Sequence, residues 1–240
     1  MPRSKSAPRN APRESAGKAA HAARRPAAHS RSMTDRAYAR LEEMIVTLQL
    51  APGAAVSEAE LASQIGMGRT PIREALHRLA REKLVQILPR RGVIVSPIDV
   101  VSQLRLLEVR RELERLIART AARRADEAQR AAFADVASAF EAAARAGDET
   151  GFMRTDRAFN ELCLAAARNE FAAGAMSLMH ALSRRFWFIH YRQVADMPLA
   201  ARLHASVARA IAAGKPAEAG RASDALIDYI ESFTRATFDT

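Results

Sequence analysis

The chain has 240 residues, enough for one large domain or two small ones, and 49% of them are hydrophobic, so a packed core is within reach. Aromatic residues make up only 5% and the formal net charge is +10; an alanine-rich, aromatic-poor chain favours helices over sheets, and the basic balance points to an anionic partner, most simply nucleic acid. Cys163 is the only cysteine, which excludes an internal disulfide and any CxxC metal motif and fits a reducing cytoplasm, and no apolar run approaches the roughly 18–20 residues that cross a bilayer, so no membrane partner is expected.

The charge is uneven. Residues 1–33 hold eight Arg or Lys against one Glu, a net of +7, so the remaining 207 residues carry only +3. This stretch is rich in Pro, Ala, Ser and Arg and has no apolar periodicity, so it reads as a disordered basic arm. It lacks the apolar segment of a secretory signal; an organellar transit peptide is the competing reading. The basic pI belongs mostly to this arm and does not by itself establish specific DNA binding.

From Thr34 the pattern turns helical, with Tyr38, Leu41, Met44 or Ile45, and Leu48 on one face. Pro52-Gly53 stops that helix. Ser57 and Glu60 form a capping box for a short helix that buries Leu61 and Ile65 and ends at Gly66. After a tight turn, Thr70 is expected as the N-cap and Pro71 as the first residue of a third helix, with Ile72, Leu76 and Leu79 facing the core. Two β-prone runs, Leu84–Leu88 and Val93–Pro97, flank Pro89–Gly92 and predict a hairpin whose tip carries Arg90 and Arg91. Residues 34–98 therefore read as one winged helix-turn-helix domain.

Beyond Asp99 no strand pattern remains. Helices are expected over 100–124, 126–146, 149–168, 170–191, 199–213 and 216–236, so residues 99–240 read as an antiparallel bundle of about six helices. The expected fold class is mainly α, an N-terminal winged helix-turn-helix followed by an all-helical domain. No internal repeat is evident.

The third helix is the second of a tightly joined pair, and in a helix-turn-helix its N-terminal residues enter the major groove. Arg69 and Arg73 lie four apart at that end, opposite the apolar face. The helix dipole disfavours cations there, so base or phosphate contact explains them better than helix stability does. A solvated helix face is the other reading.

These same residues carry a family resemblance. The stretch LAPGAAVSEAELASQIGMGRTPIREALHRLAREKLVQILPRRGVIVSPI, with its PG, E-x-x-LA, RTP-x-REAL-x-x-L, LV and RRG-x-x-V motifs in order, resembles the winged helix-turn-helix of GntR-family bacterial regulators. The resemblance implies dimeric binding to a double-stranded DNA operator. It implies helix contacts from Arg69, Thr70 and Arg73, and wing-tip contacts from Arg91 and Gly92, beside Arg90. Gly68 stands where many members have Ser or Thr, which puts one phosphate contact in doubt, and Ala59 stands where some members carry a basic residue.

Residues 99–236 resemble the FCD ligand-sensing domain of the FadR-like subgroup, through Arg110, Glu114, Ala121-Ala122, DRAFN (Asp156–Asn160) and the segment from Arg202 to Ile227. The resemblance implies a small-molecule effector pocket and, in many members, a divalent metal held by one Asp and three His. Here those positions read Asp156, Asn160, His204 and Leu226. An amide is a poor zinc ligand and leucine is none, so only Asp156 and His204 remain. His180 or His190 stand as substitutes without support from spacing, and a sensor without metal or other cofactor is expected. Arg110 is either half of an i,i+4 ion pair with Glu114 or a pocket cation for a carboxylate effector. The cluster Phe186, Trp187, Phe188, His190 and Tyr191 reads as core, ligand box or dimer contact.

The six histidines and the single cysteine make no nucleophile–base set, and no phosphate-binding loop or HExxH occurs, so an enzyme is not expected. The expected function is a ligand-responsive transcriptional regulator, a homodimeric repressor by preference. An effector-independent architectural DNA-binding protein is the alternative, separated from it by whether one site is strongly preferred over random DNA.

Overall fold

The computed structural model describes residues 32–237. The basic arm, apart from Ser32 and Met33, lies outside the described residues. Helix α1 spans Met33–Val46 and opens on a capping box in which Ser32 Oγ accepts from the Asp35 amide. The helix thus begins before Thr34, because Ser32 and Asp35 satisfy amides that a helix starting later would leave open.

Strand β1 (Ala55–Val56) precedes α2 (Glu58–Ile65), which carries the expected Ser57/Glu60 capping box and ends at Gly66 with φ +70°. Helix α3 covers Arg69–Arg81. Its N-cap is Gly68, not Thr70, and it has no side-chain cap. Pro71 is therefore the third helical residue, a position whose missing N–H has no intrahelical partner to lose. Strands β2 (Val85–Leu88) and β3 (Gly92–Val95) form the expected hairpin, in register Val85↔Val95 to Leu88↔Gly92. β1 adds to the far side of β3 through Ala55↔Ile94 and Val56↔Val93, giving the antiparallel order β1-β3-β2. Two residues are too few for an alternation pattern, so β1 has no sequence signature.

The wing turn is Leu88–Arg91. Pro89 sits at its second position, Arg90 takes φ +63°, and the Arg91 amide donates to Leu88 O at 3.0 Å. That is the pattern of a type II turn, which normally takes glycine where Arg90 stands. Gly92 follows at φ +97°, and a Cβ there would lie 3.0 Å from Val56 O. β1 therefore fixes glycine at the wing base.

The remainder is helical: α4 (Val100–Arg124), α5 (Glu127–Ala146), α6 (Glu149–Ala167), α7 (Glu170–Ser177), α8 (His180–Val194), α9 (Met197–Ala212) and α10 (Pro216–Ala236). The expected continuous helix over 170–191 is two helices, so this part has seven among the described residues rather than about six. The break contains no proline or glycine. It is made by the backbone itself: the Leu178 and Met179 amides donate to Ala175 O and Met176 O, three residues back, while Ser177 Oγ donates to Gly174 O. The turn re-aims the chain, so that Met176 stays in the core of the helical part and Ala181 joins the N-terminal core.

Two cores result. Leu41, Met44, Ile45, Ile72, Leu76, Leu79 and Leu84 fill the first. Phe133, Phe140, Phe159, Ala121, Ala205 and Ile211 anchor the second. Phe140 is fully buried and meets Phe152, Phe159 and His204 at centroid distances of 5.4, 5.8 and 4.7 Å. Alanines between the phenylalanines let the helices approach closely.

Replacing Gly92 by alanine is expected to destabilise the fold by about 1–3 kcal/mol, through backbone strain and the clash with Val56 O. Arg91→Ala, at an exposed position, should change stability by less than about 0.5 kcal/mol. Urea denaturation of the two variants checks both; equal stability of Gly92→Ala and the parent would refute the steric reading.

Candidate nucleic-acid interface and internal cavity

Arg69, Thr70, Arg73, Arg90 and Arg91 are all exposed, and Gly92 is half-buried. The two helix arginines differ. Arg73 donates from Nε and Nη2 to the Glu58 carboxylate on α2, at 2.8–3.0 Å. Its guanidinium is thus oriented by the first helix of the pair, and Glu58 is held below its ordinary carboxylate range mainly by that hydrogen bond. Arg69 makes no such bond with the described residues. It opens a helix with no acidic residue in its first turn and no side-chain cap, so the amide ends stay electropositive.

Within the helical part lies a small cavity of about 50 Å³. Four of the five positions expected at a pocket line it: Arg110 on α4, Asp156 and Asn160 on α6, and His204 on α9. Leu226 on α10 does not. It is buried and lines a smaller neighbouring cavity of about 30 Å³, together with Glu114, Cys163 and Ser223. Asn160 and His180 border both. The wall that sequence reasoning did not assemble is α8, which contributes His180, Ser183, Arg184 and Trp187. Their i, i+3, i+4, i+7 spacing marks one helix face; treating the aromatics as a block hid that stripe.

Arg110 forms the expected ion pair with Glu114 and also borders the cavity. It donates from Nε and Nη2 to Glu114 Oε1, at 2.7 and 2.6 Å, and from Nη1 to Ser183 Oγ at 2.6 Å, while lining the cavity. Its charge is thus answered within the fold. Ser183 Oγ also accepts from Gln103 Nε2, which fixes the serine in place. Burial, then the neighbouring Arg110 charge, pushes the His180 imidazole below its usual range, which favours its neutral form.

Asp156 and His204 meet across the cavity. His204 Nδ1 faces only an acceptor, the Ala200 carbonyl at 2.8 Å, so it carries a proton; Nε2 lies 3.4 Å from Asp156 Oδ1. Burial pushes the Asp156 carboxyl up, but the His204 hydrogen bond and charge, with Arg184 and His180 behind, outweigh it and hold Asp156 below its ordinary value. Asn160 Nδ2 donates to Asp156 O at 2.9 Å and Oδ1 at 3.1 Å, so the amide is spent on the carboxylate.

A carbonyl-oriented imidazole facing a carboxylate suits a metal ion. The other two positions do not: Asn160 binds Asp156, and Leu226 belongs to the hydrophobic core. Among the described residues no three His, Cys, Asp or Glu side chains group closely enough to hold an ion. The residues present do not fit a four-ligand site.

Residues 33–95 match the profile of the bacterial regulatory proteins of the gntR family, and residues 105–229 match the FCD domain. The chain belongs to the GntR family and carries an FCD domain. A Streptomyces ambofaciens HTH-type transcriptional regulator from an unstable DNA locus is 55% identical over 62 residues, 26% of either chain. An Agrobacterium vitis HTH-type regulator from the TAR-I ttuE-ttuC' intergenic region is 34% identical over 136 residues, 55% of this chain and 78% of that one. A probable D-xylose utilization operon repressor of Paenarthrobacter nicotinovorans is 29% identical over 190 residues, 77% of this chain and 80% of its own. In three dimensions the fold is that of E. coli McbR/YncC, with a TM-score of 0.76 at 18% identity over 87% of this chain and all of that one. A GntR regulator from Rhodococcus sp. RHA1 gives 0.63 at 20% identity, over 86% and 99% of the two chains. This GntR/FCD protein is a transcriptional regulator, and no described helix is long and apolar enough to cross a membrane.

Cys163 is buried on the wall of the second cavity, and burial, with Glu114 and Asp156 nearby, pushes its thiol well above the ordinary range. In the folded regulator it should resist a thiol reagent such as DTNB at pH 8 and react fully in urea. A native-state rate equal to the unfolded one would show that this part of the domain opens freely.

Proposed function

We propose that this regulator is a homodimeric, sequence-specific repressor that reads DNA with the start of α3 and the wing, and whose affinity responds to a small carboxylate-bearing metabolite in the α4–α6–α8–α9 cavity. The observation that carries the reading is the pairing of two features in one chain. One is an uncapped, exposed amino end of α3 beginning with Arg69 and Thr70. The other is an internal cavity lined by arginine, histidine and aromatic side chains. An anion-binding helix end with exposed arginines suits phosphates and base edges. A largely apolar cavity with a few convergent polar groups suits a small metabolite. An architectural DNA-binding protein has no use for the second feature.

Arg90 and Arg91 at the wing would meet the minor groove or its phosphates. Two half-sites read by two copies supply the contact area that one winged domain lacks. The cavity works without a metal in this reading, since Asn160 and Leu226 replace two imidazoles and the remaining pair, Asp156 and His204, leaves most of a coordination sphere to water.

Selection of binding sites from random duplexes, followed by footprinting, tests the regulator reading: a near-palindromic site is expected, with a preference over random DNA that a metabolite fraction weakens. Equal affinity for all duplexes would favour the architectural reading instead. Arg69→Ala should weaken binding to the selected site by about 1–3 kcal/mol and random DNA much less; equal losses on both would make it a phosphate contact only. Elemental analysis of untagged protein prepared without chelator should find no stoichiometric transition metal. One zinc, nickel or manganese per chain, lost on His204→Ala, would restore a metal-dependent sensor.

A further inference from the structure

We infer that Arg184, and not Arg110, is the cation that receives the effector's carboxylate, and that it reports binding to the DNA-binding domain by giving up Glu42. The inference rests on the reading of the cavity as the effector site. Arg110 is already matched by Glu114 and Ser183. Arg184 is not matched in the same way. It lines the cavity, its Nη1 donates to Glu42 Oε1 at 2.9 Å, and its Nε is buried with no hydrogen-bond partner. A buried donor left open costs free energy that an incoming oxygen would recover.

Glu42 lies on α1 in the winged helix-turn-helix, with its side chain 8% exposed. It is shared: Arg157 of α6 approaches its other oxygen at 3.7 Å. One carboxylate thus serves two arginines of the helical domain. A groove of about 400 Å³ shares Phe152, Met153, Arg184 and Trp187 with the inner cavity and is bounded by Glu43 and Val46 of α1 and by Thr47 just after it. A ligand approaching along this groove passes the carboxyl end of α1 and meets Arg184 where Glu42 holds it.

The chemistry selects a monoanion on a flat apolar body. Arg184 takes the carboxylate in a planar, paired contact. Phe152 and Trp187, stacked at a centroid distance of 6.0 Å, offer the apolar wall. A carboxylate on Arg184 competes with Glu42, and Arg157 is at hand to keep the displaced Glu42 from being buried unpaired. Coupling then has a defined source: the ligand binds more tightly when Glu42 has let go, and by reciprocity it favours the state in which α1 has let go of α8.

Trp187 is the single tryptophan of the chain and lines the cavity, so its fluorescence reads binding directly. The probe is benzoate, with benzamide as its uncharged isostere, titrated into the full-length protein. Benzoate should change the emission saturably, with benzamide at least about tenfold weaker, as expected for a charge-assisted contact. Arg184→Gln should lose about tenfold or more in benzoate affinity and Arg184→Lys less, with unfolding temperatures confirming that both are folded. Glu42→Gln removes the competitor and should bind benzoate more tightly. Arg157→Ala frees Glu42 to hold Arg184 and should bind it more weakly. Benzoate should shift the operator Kd of the parent protein and not that of Glu42→Gln. Parent protein that binds neither probe would sink the effector-cavity reading itself. Binding that survives Arg184→Gln unchanged would leave the cavity reading standing and overturn the role of Arg184. Benzoate affinity indifferent to both Glu42→Gln and Arg157→Ala would overturn the latch.

Discussion

One helix carries two jobs, and the rest of the molecule is arranged around it. Along α8, His180, Ser183, Arg184 and Trp187 face the cavity. Ala181 enters the core of the winged helix-turn-helix, with Leu182 packed against it. Arg185 donates from Nη1 and Nη2 to Ser96 O and Pro97 O, in the connection that follows the wing, at 2.9 and 3.1 Å. Successive residues on a helix are turned by about 100°. A side chain that lines the cavity and one that grips the winged helix-turn-helix half therefore sit side by side on the same helix.

The contacts α8 makes are not cheap ones. Arg185 is 2% exposed, its Nε has no hydrogen-bond partner, and burial lowers its pKa to about 10. Two carbonyl oxygens satisfy part of a buried guanidinium without neutralising it. Arg184 and Glu42 form a second, nearly buried ion pair across the same joint. Such pairs add little net stability compared with apolar packing, but breaking one side is costly, so they specify an arrangement more than they strengthen it. Two polar anchors on neighbouring residues make the joint between the halves selective in geometry.

The recognition half is built differently. Its glycines and caps do the positioning: Gly66 ends α2 in the left-handed region, Gly68 opens α3, and Gly92 lets β3 pass β1. Glu58 from α2 aims Arg73 of α3 through a bidentate contact, so the two helices of the pair share one polar element on their exposed side. An exposed pair of this kind contributes little to stability; its effect is to restrict where a long side chain points.

The sequence by itself determined what depends on local chemistry. Capping residues, turn glycines and apolar periodicity marked the starts of the three N-terminal helices and the hairpin to within two residues; α1, however, ends at Val46, short of the expected stop at Pro52-Gly53, and Leu48 takes φ +61° beyond it. The ordered RTP-x-REAL and RRG motifs pointed to the family. It also gave Asp156, Asn160 and His204 as neighbours of one cavity, since family position carries spatial information that spacing does not. Other features needed the tertiary structure. The two-residue strand β1 exists only because β3 is there to pair with it. The α7–α8 break has no proline or glycine to announce it, because the need to bury Met176 in one core and Ala181 in the other makes the turn. Leu226 faces a second cavity rather than the first, which helix rotation decides and composition does not. That Arg110 pairs with Glu114 and also borders the cavity could not be read from an i,i+4 spacing, since its remaining contact is to Ser183, 73 residues away. The Arg184–Glu42 contact spans 142 residues. Local sequence fixes which atoms are charged, but only the folded chain decides which charges meet, because Coulomb and hydrogen-bond energies depend on distances that no sequence interval encodes.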